Sequence, residues 1–106
     1  MIGEFEVRYT ETANEDLLRL FDFLLMRAST VDDFDLAQMA IEEIRGTVEK
    51  NLSRSPFIFR KVASSPFLRE LIIPFRGAGF VAMFEIEGNN TVNLLAVRHQ
   101  LEEDYH

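Results

Sequence analysis

The last fourteen residues concentrate the side chains that could carry out acid–base chemistry. They hold Arg98, His99, Tyr105 and His106, which include both histidines and one of the two tyrosines of the chain. A histidine or tyrosine can move a proton, and an arginine can stabilise a developing negative charge. This segment is therefore the first candidate for an active site.

Strand geometry limits how many of these side chains can act together. The apolar run before Arg98 predicts a last strand over Val92–Val97, and side chains adjacent in a strand point to opposite faces. Arg98 and His99 are thus expected on opposite sides unless the strand ends or bulges there. The favoured interpretation is a packed structural role for His99 and an ion pair between Arg98 and Glu70 or Glu85.

Metal and cofactor chemistry find little support in the sequence. The chain has no cysteine, and its two histidines lie seven residues apart without a third ligand at a strong spacing. Gly77 and Gly79 in "RGAG" predict a hairpin turn, because no helix follows to complete a phosphate-binding loop. The acidic residues of the predicted helices fit solvated faces better than paired catalytic carboxylates. We expect neither a metal nor a cofactor.

The N-terminal half predicts a strand followed by a helical hairpin. In "EFEVRY" the residues Phe5, Val7 and Tyr9 alternate with charged ones, which is typical of a half-buried strand. The "TANE" segment, Thr12–Glu15, has the form of a capping box and predicts the start of a helix. The apolar stripe of this helix is Leu17, Leu20 or Phe21, Leu24 and Ala28, broadened by Leu18 and Leu25.

A second helix is predicted after the polar "STVDD" segment. Ser29, Thr30 and Asp32 are its candidate capping residues. Its apolar positions recur at spacings of three and four, at Phe34, Ala37, Ile41, Ile44 and Val48. Two amphipathic helices joined by a short loop form an antiparallel hairpin that needs an apolar partner.

The C-terminal half predicts that partner, a sheet. Ser53–Pro66 contains two prolines and four serines, which indicates a loop or a short extended connection. Three apolar runs follow, "FLRELIIPF", "GFVAMFEIE" and "TVNLLAVRH", separated by the turn segments "RGAG" and "EGNN". The expected fold is α+β, with a single domain over residues 1–106 and the order β-α-α-β-β-β. We place Phe80, Ala82, Phe84 and Ile86 against the helices.

Charge and composition narrow the function classes. The formal net charge is −7, and all of it falls in the first half, where Met1–Leu52 has twelve acidic and five basic residues. Such a balance disfavours direct nucleic-acid binding, since Lys and Arg supply most of that affinity. The acidic start and the lack of a long apolar run predict neither a signal peptide nor a membrane span. We expect a cytoplasmic protein.

Over nearly its whole length the chain resembles the RelE/ParE toxin superfamily of plasmid-stabilisation modules, and its ParE branch more than its RelE branch. The resemblance is carried by "VRYTETANEDL", "LRELIIPF", the glycine-containing turn into "FVAMFEI", and "LLAVRHQLEEDY". It implies a small toxin of a type II toxin–antitoxin module, neutralised by direct binding of a ParD-like antitoxin. The ParE branch poisons DNA gyrase, which becomes the expected target.

The RelE branch, which cleaves mRNA on the ribosome, is the alternative. That resemblance would give catalytic roles to Arg98 and Tyr105, with Arg60, Lys61, Arg69 and Arg76 as contacts to the phosphate. The acidic "EED" of residues 102–104 between Arg98 and Tyr105 would repel a phosphate backbone, and so would the net charge of −7. Binding is therefore preferred to catalysis. An inactive homologue that only forms a complex with its partner is a third possibility.

Partner binding has its own candidate residues. A sheet edge and a groove beside the helical hairpin could accept a strand or an amphipathic helix of the antitoxin. The residues expected to contribute are Leu18, Leu25, Met39, Arg69, Arg98 and His99. A hetero-oligomer with the antitoxin is implied by the resemblance.

Overall fold

In the computed structural model, which describes residues 4–76 and 78–100, two helices cover one face of a mixed sheet. The elements are β1 (Glu6–Tyr9), α1 (Glu11–Met26), α2 (Val31–Leu52), a 3₁₀ turn (Pro56–Ile58), β2 (Arg60–Val62), β3 (Ser65–Phe75), β4 (Ala78–Glu87) and β5 (Thr91–His99). The strand order across the sheet is β1-β5-β4-β3-β2. Only β1 and β5 run parallel; the other neighbours are antiparallel.

The predicted α+β fold is confirmed, with one strand more than expected. The segment Ser53–Pro66, predicted as a loop or extended connection, contains the 3₁₀ turn and the three-residue strand β2. This strand exists because it pairs with β3, with Arg60 opposite Glu70 and Lys61 opposite Arg69. So short a strand leaves no periodicity in the sequence, since tertiary pairing alone defines it.

The first helix begins two residues earlier than the sequence predicts. Its N-cap is Thr10, whose hydroxyl accepts a hydrogen bond from the Ala13 amide at 3.1 Å, so the expected capping box at Thr12–Glu15 is wrong. The Thr10 hydroxyl also donates to the Leu94 carbonyl of β5 at 2.9 Å, an anchor that local sequence cannot reveal. For α2, the predicted cap at Thr30 is confirmed by its bond from the Asp33 amide.

The core lies between the helices and the inner face of the sheet. All four residues of β4 placed against the helices are buried: Phe80, Ala82, Phe84 and Ile86. Leu17 and Leu20 of α1 and Ile44 and Val48 of α2 pack in the same cluster. Each large apolar side chain buried in this way contributes about 1.5–3 kcal/mol. Phe34, predicted on the apolar stripe of α2, is half exposed instead.

A β-bulge in β5 decides which of its side chains face the core. Leu94 lies opposite Phe84 and Ala96 lies opposite Met83, which leaves Leu95 without a partner residue. The alternation therefore shifts by one position: Val92 and Leu94 are buried before the bulge, and Val97 and His99 after it.

The first helix caps the part of β5 that extends beyond β1. Pairing with β1 stops at Leu94. Beyond it, the Val97 amide donates to the Asp16 carboxylate at 3.0 Å, and the Val97 carbonyl accepts from Arg19 at 3.3 Å. Asp16 and Arg19 also form an ion pair at 3.4 Å. Side chains of α1 thus satisfy backbone groups that a neighbouring strand would otherwise bind.

Candidate functional site

Arg98 and His99 point to opposite sides of the sheet, as the strand alternation predicts. The strand continues through His99, so the two residues keep their alternation after the bulge. Arg98 is exposed on the open face, opposite Val81, whereas the His99 side chain is only 5% exposed. The His99 ring packs edge-on against Phe80 at 5.3 Å and lies 5.6 Å from the ring of Phe23. The packed role predicted for His99 is confirmed.

The candidate cations for RNA cleavage do not share one face. Directly opposite residues in an antiparallel pair lie on the same side of the sheet. Arg60 lies with Glu70 on the open side and forms an ion pair with it. The ion pair of Arg98 with Glu70 or Glu85 stays a prediction. Lys61 lies opposite Arg69, whose neighbours on the same face of β3 belong to the core.

Arg69 has an architectural role in place of the predicted contact with a phosphate or a partner. Its guanidinium donates to the backbone carbonyls of Pro66, Phe57 and Phe59 at 2.9, 2.9 and 2.7 Å. It also lies 5.3 Å from the centroid of the Phe57 ring. With the residue only 8% exposed, these contacts fix the 3₁₀ segment against β3. Arg69 is therefore not available as a surface cation.

The remaining candidates lie apart from these. Arg76 sits in the β3–β4 turn with a φ of +47°, and its guanidinium is 5.8 Å from the Phe75 ring. Tyr105 and His106 lie outside the described residues. Over residues 4–76 and 78–100, no three metal-binding side chains are grouped so that they could hold an ion.

The helical hairpin presents the exposed apolar surface expected for partner binding. Leu18 is 68% exposed and Met39 is 44% exposed, while Leu25 is only partly exposed. A shallow depression of about 220 Å³ runs between α1 and α2, lined by Leu17, Leu18, Phe21, Ile41 and polar neighbours. Leu18 also borders a second depression along α1. The exposure of Leu18 and Met39 agrees with the prediction; their role in binding stays a prediction.

A different pocket lies at the end of the molecule where the α1–α2 turn meets the β3–β4 turn. This cavity of about 240 Å³ has apolar walls from Leu24, Leu36 and Phe75, and His99 and Phe80 also line it. Sequence reasoning did not find it, because its residues come from α1, α2, β3, β4 and β5 and share no motif.

Three charged side chains also line this end pocket. They are Arg27, Arg76 and Asp33. The Arg27 guanidinium lies 5.3 Å from the centroid of the Phe23 ring. The Ser29 amide, at 3.0 Å from the Asp33 carboxylate, is the main cause that holds the pKa of Asp33 below its usual value. The Ser29 hydroxyl donates to the same oxygen at 3.2 Å, so this carboxylate is already engaged.

Comparison with known proteins assigns the chain to a family. The model of the ParE toxin of the type II toxin–antitoxin system parDE matches residues 7–104. A solved structure of a chromosomal ParDE toxin–antitoxin system from P. aeruginosa is similar, with a TM-score of 0.71 and 19% sequence identity. The match covers 92% of this chain and 97% of that one, and at this identity it shows the fold.

Two further findings concern sequence relatives and membrane spans. No curated protein sequence matches this chain significantly. Within the part of the chain that the structure describes, no helix combines the length and apolar character needed to cross a membrane. The family model nevertheless covers almost the whole sequence. The chain therefore belongs to the ParE toxin family and is the toxin of a type II toxin–antitoxin module.

Proposed function

We propose that this toxin acts in the cytoplasm by binding DNA gyrase and that a ParD-like antitoxin neutralises it. The proposal is supported by family membership together with one observation. The described cations that an RNA-cleaving site would need are divided between two faces of the sheet, and two of them are engaged. This division of the cations within residues 4–76 and 78–100 favours action through binding surfaces over catalysis.

Antitoxin binding is proposed for the groove between α1 and α2. Its exposed Leu18 and the half-buried Phe21 and Ile41 offer apolar contacts, and Arg45 and Gln38 offer polar ones. An apolar groove between two helices is a surface into which an amphipathic helix can lay its apolar face. The net charge of −7 favours an antitoxin segment with basic residues on its polar side.

A supercoiling assay with purified gyrase tests the proposed target. Increasing toxin should reduce supercoiling and trap cleaved DNA, and prior addition of the antitoxin encoded beside the toxin should restore activity. Heat-unfolded toxin serves as the control. Undiminished supercoiling with no trapped complex at excess toxin would contradict the gyrase proposal.

Antitoxin docking is tested by changing Leu18 to Glu and measuring complex formation by calorimetry. The loss of an apolar anchor at the centre of an interface should weaken binding roughly 30-fold or more. Leu18 is 68% exposed, so folding should be preserved. Glu49→Gln, on an exposed position of α2, is the matched control and should leave affinity unchanged. Equal affinity of both variants would place the antitoxin elsewhere.

Ribosome-dependent mRNA cleavage is the second candidate, and one observation favours it. Arg98 is exposed on the open face of the sheet, where a nucleic acid could approach. Primer extension on translated mRNA decides this case. Codon-positioned cuts that disappear in Arg98→Ala and persist in Arg54→Ala would support cleavage, and an absence of cuts would exclude it.

Expression without the antitoxin separates both activities from an inert homologue. Growth arrest that the neighbouring antitoxin gene reverses is the expected result. Normal growth with the folded protein present would favour a chain that only forms complexes.

A further inference from the structure

The end pocket combines apolar walls with unbalanced positive charge. Over residues 4–76 and 78–100 no carboxylate pairs with Arg27 or Arg76, and each guanidinium lies beside an aromatic ring. Asp33, the acidic residue of the lining, is engaged by Ser29. The pocket therefore carries a net positive charge in a protein whose total is −7.

Two features of the fold position side chains of this pocket. His99, nine-tenths or more buried, lines it with its ring held against Phe80 and Phe23. Arg76 has a φ of +47°, which tight two-residue hairpin turns use, and the turn joins the paired residues Phe75 and Ala78. This turn places the Arg76 side chain in the pocket lining.

The surroundings of the pocket favour a polypeptide as its occupant. The helix ends that flank the α1–α2 connection expose three large apolar side chains next in sequence to the pocket residues Arg27 and Asp33 or near them: Met26 is 86% exposed, Val31 is 74% exposed and Phe34 is 50% exposed. Exposed apolar groups around a charged pocket are typical of a protein-binding surface. A free small ion would gain nothing from these neighbours.

The charge of the lining favours a single negative charge on the occupant. Two arginines attract a carboxylate, and Arg–carboxylate contacts are stronger and shorter than neutral ones. The Asp33 carboxylate lies in the same lining and repels a dianion more than a monoanion.

We propose that the end pocket binds a glutamate or aspartate side chain that a partner polypeptide carries next to an apolar residue. The acidic group lies between Arg27 and Arg76, and the apolar neighbour packs on Met26, Val31 and Phe34. The existence of such a partner rests on the toxin's proposed function. The site is separate from the groove that contains Leu18.

A peptide titration followed by NMR tests this pocket without gyrase or antitoxin. The probes are acetyl-Leu-Glu-Leu-amide and its neutral counterpart acetyl-Leu-Gln-Leu-amide. The readout is the ring signal of His99, which is simple to assign because the chain has two histidines. The acidic peptide should shift this signal saturably, and the neutral peptide should bind roughly fivefold more weakly.

Matched variants test which arginines attract the acidic peptide. Arg27→Gln and Arg76→Gln should each weaken the acidic peptide by roughly threefold to fivefold and remove its advantage over the neutral one. Arg54→Gln, an exposed arginine outside the pocket, should leave affinity unchanged. Equal effects of all three variants would show non-specific attraction and overturn the proposal.

Other occupants give different results. Equal binding of both peptides, or a shift by inorganic phosphate alone at lower concentration, would overturn the carboxylate assignment. A shift of the His99 signal on neutralising Glu102, Glu103 and Asp104, with no peptide present, would assign the pocket to the chain's own acidic segment and also overturn it. Because gyrase is absent from the titration, its failure leaves the gyrase proposal intact.

Discussion

The molecule uses arginine in two contrasting ways, one beside β2 and one at the end pocket. Beside β2, Arg69 is buried and donates to three backbone carbonyls. At the end pocket, Arg27 and Arg76 also lie beside aromatic rings, but no carboxylate of the described residues pairs with them. The comparison teaches that the number of acceptors around a guanidinium, and not its contact with an aromatic ring, separates an architectural arginine from one that is available to a ligand.

The largest expected effect comes from removing the architectural guanidinium. Arg69→Met keeps much of the apolar stem but leaves three carbonyls without their donor, which should lower the free energy of unfolding by about 2–4 kcal/mol. Urea unfolding followed by circular dichroism measures it. Arg27→Met is the matched control and should stay within about 0.5 kcal/mol of the wild type. Similar losses of stability in Arg69→Met and Arg27→Met would show that the two arginines do not differ in their contribution to the fold.

A smaller loss is expected when the charge is kept and the fork of donors is removed. In Arg69→Lys the ammonium cannot reach the carbonyls of Pro66, Phe57 and Phe59 with the same geometry, so stability should fall by about 1–2 kcal/mol. The same urea measurement applies. Wild-type stability in this variant would mean that a positive charge is enough, without the several donors of the guanidinium, to hold the 3₁₀ segment against β3.

Replacing Arg76 of the end pocket should raise the free energy of unfolding, whereas replacing Arg69 should lower it. Arg76 has a φ of +47°, so Arg76→Gly relieves backbone strain and should raise the free energy of unfolding by about 0.5–1 kcal/mol. Arg54→Gly provides the contrast, since Arg54 is not among the described residues with positive φ. It should lose stability by a similar amount, because glycine gives the unfolded chain more backbone freedom. A loss of stability in Arg76→Gly would show that the Arg76 side chain stabilises the fold by more than the relief of its backbone strain.

The smallest effect concerns the carboxylate beside the pocket. The lowered pKa of Asp33 means that its bonds to Ser29 stabilise the fold above the pKa of the unfolded chain and are lost as pH falls through the folded value. Asp33→Asn should therefore lower the melting temperature slightly near neutral pH. The difference should begin to shrink as the pH falls through about 4 and vanish only below the lowered pKa of the folded protein. A melting difference that stays constant between pH 7 and pH 3 would contradict this assignment.

The overall fold was predictable because long patterns define most of its elements. The apolar spacing of three and four in α2 and the alternation from Phe80 to Ile86 extend over enough residues that single local contacts do not change them. The structure confirms both helices and the three predicted C-terminal strands. The details that were wrong depend on distant partners. Thr10 replaces Thr12 as the cap partly because Leu94 accepts its hydroxyl proton, and β2 forms because β3 lies beside it.

The candidate site was less predictable than the fold for a related reason. Alternation alone separates Arg98 from His99, and this held. The burial of Arg69 could not be foreseen, since it depends on carbonyls of a segment that has no regular pattern. The end pocket gathers Arg27, Arg76 and His99 from positions far apart in the sequence, which only the folded chain brings together.

Leu95, which has no opposite residue in β4, decides which face of the sheet each later side chain of β5 points to. Deleting this one residue while keeping the pairing before it would turn Val97 and His99 to the open face and Arg98 towards the helices. The amide and carbonyl of Val97 would then turn towards β4, away from the Asp16 and Arg19 side chains that bind them. Two proteins that have the same sequence after this position, and differ only in whether Leu95 is present, would therefore present different side chains on the open face of the sheet.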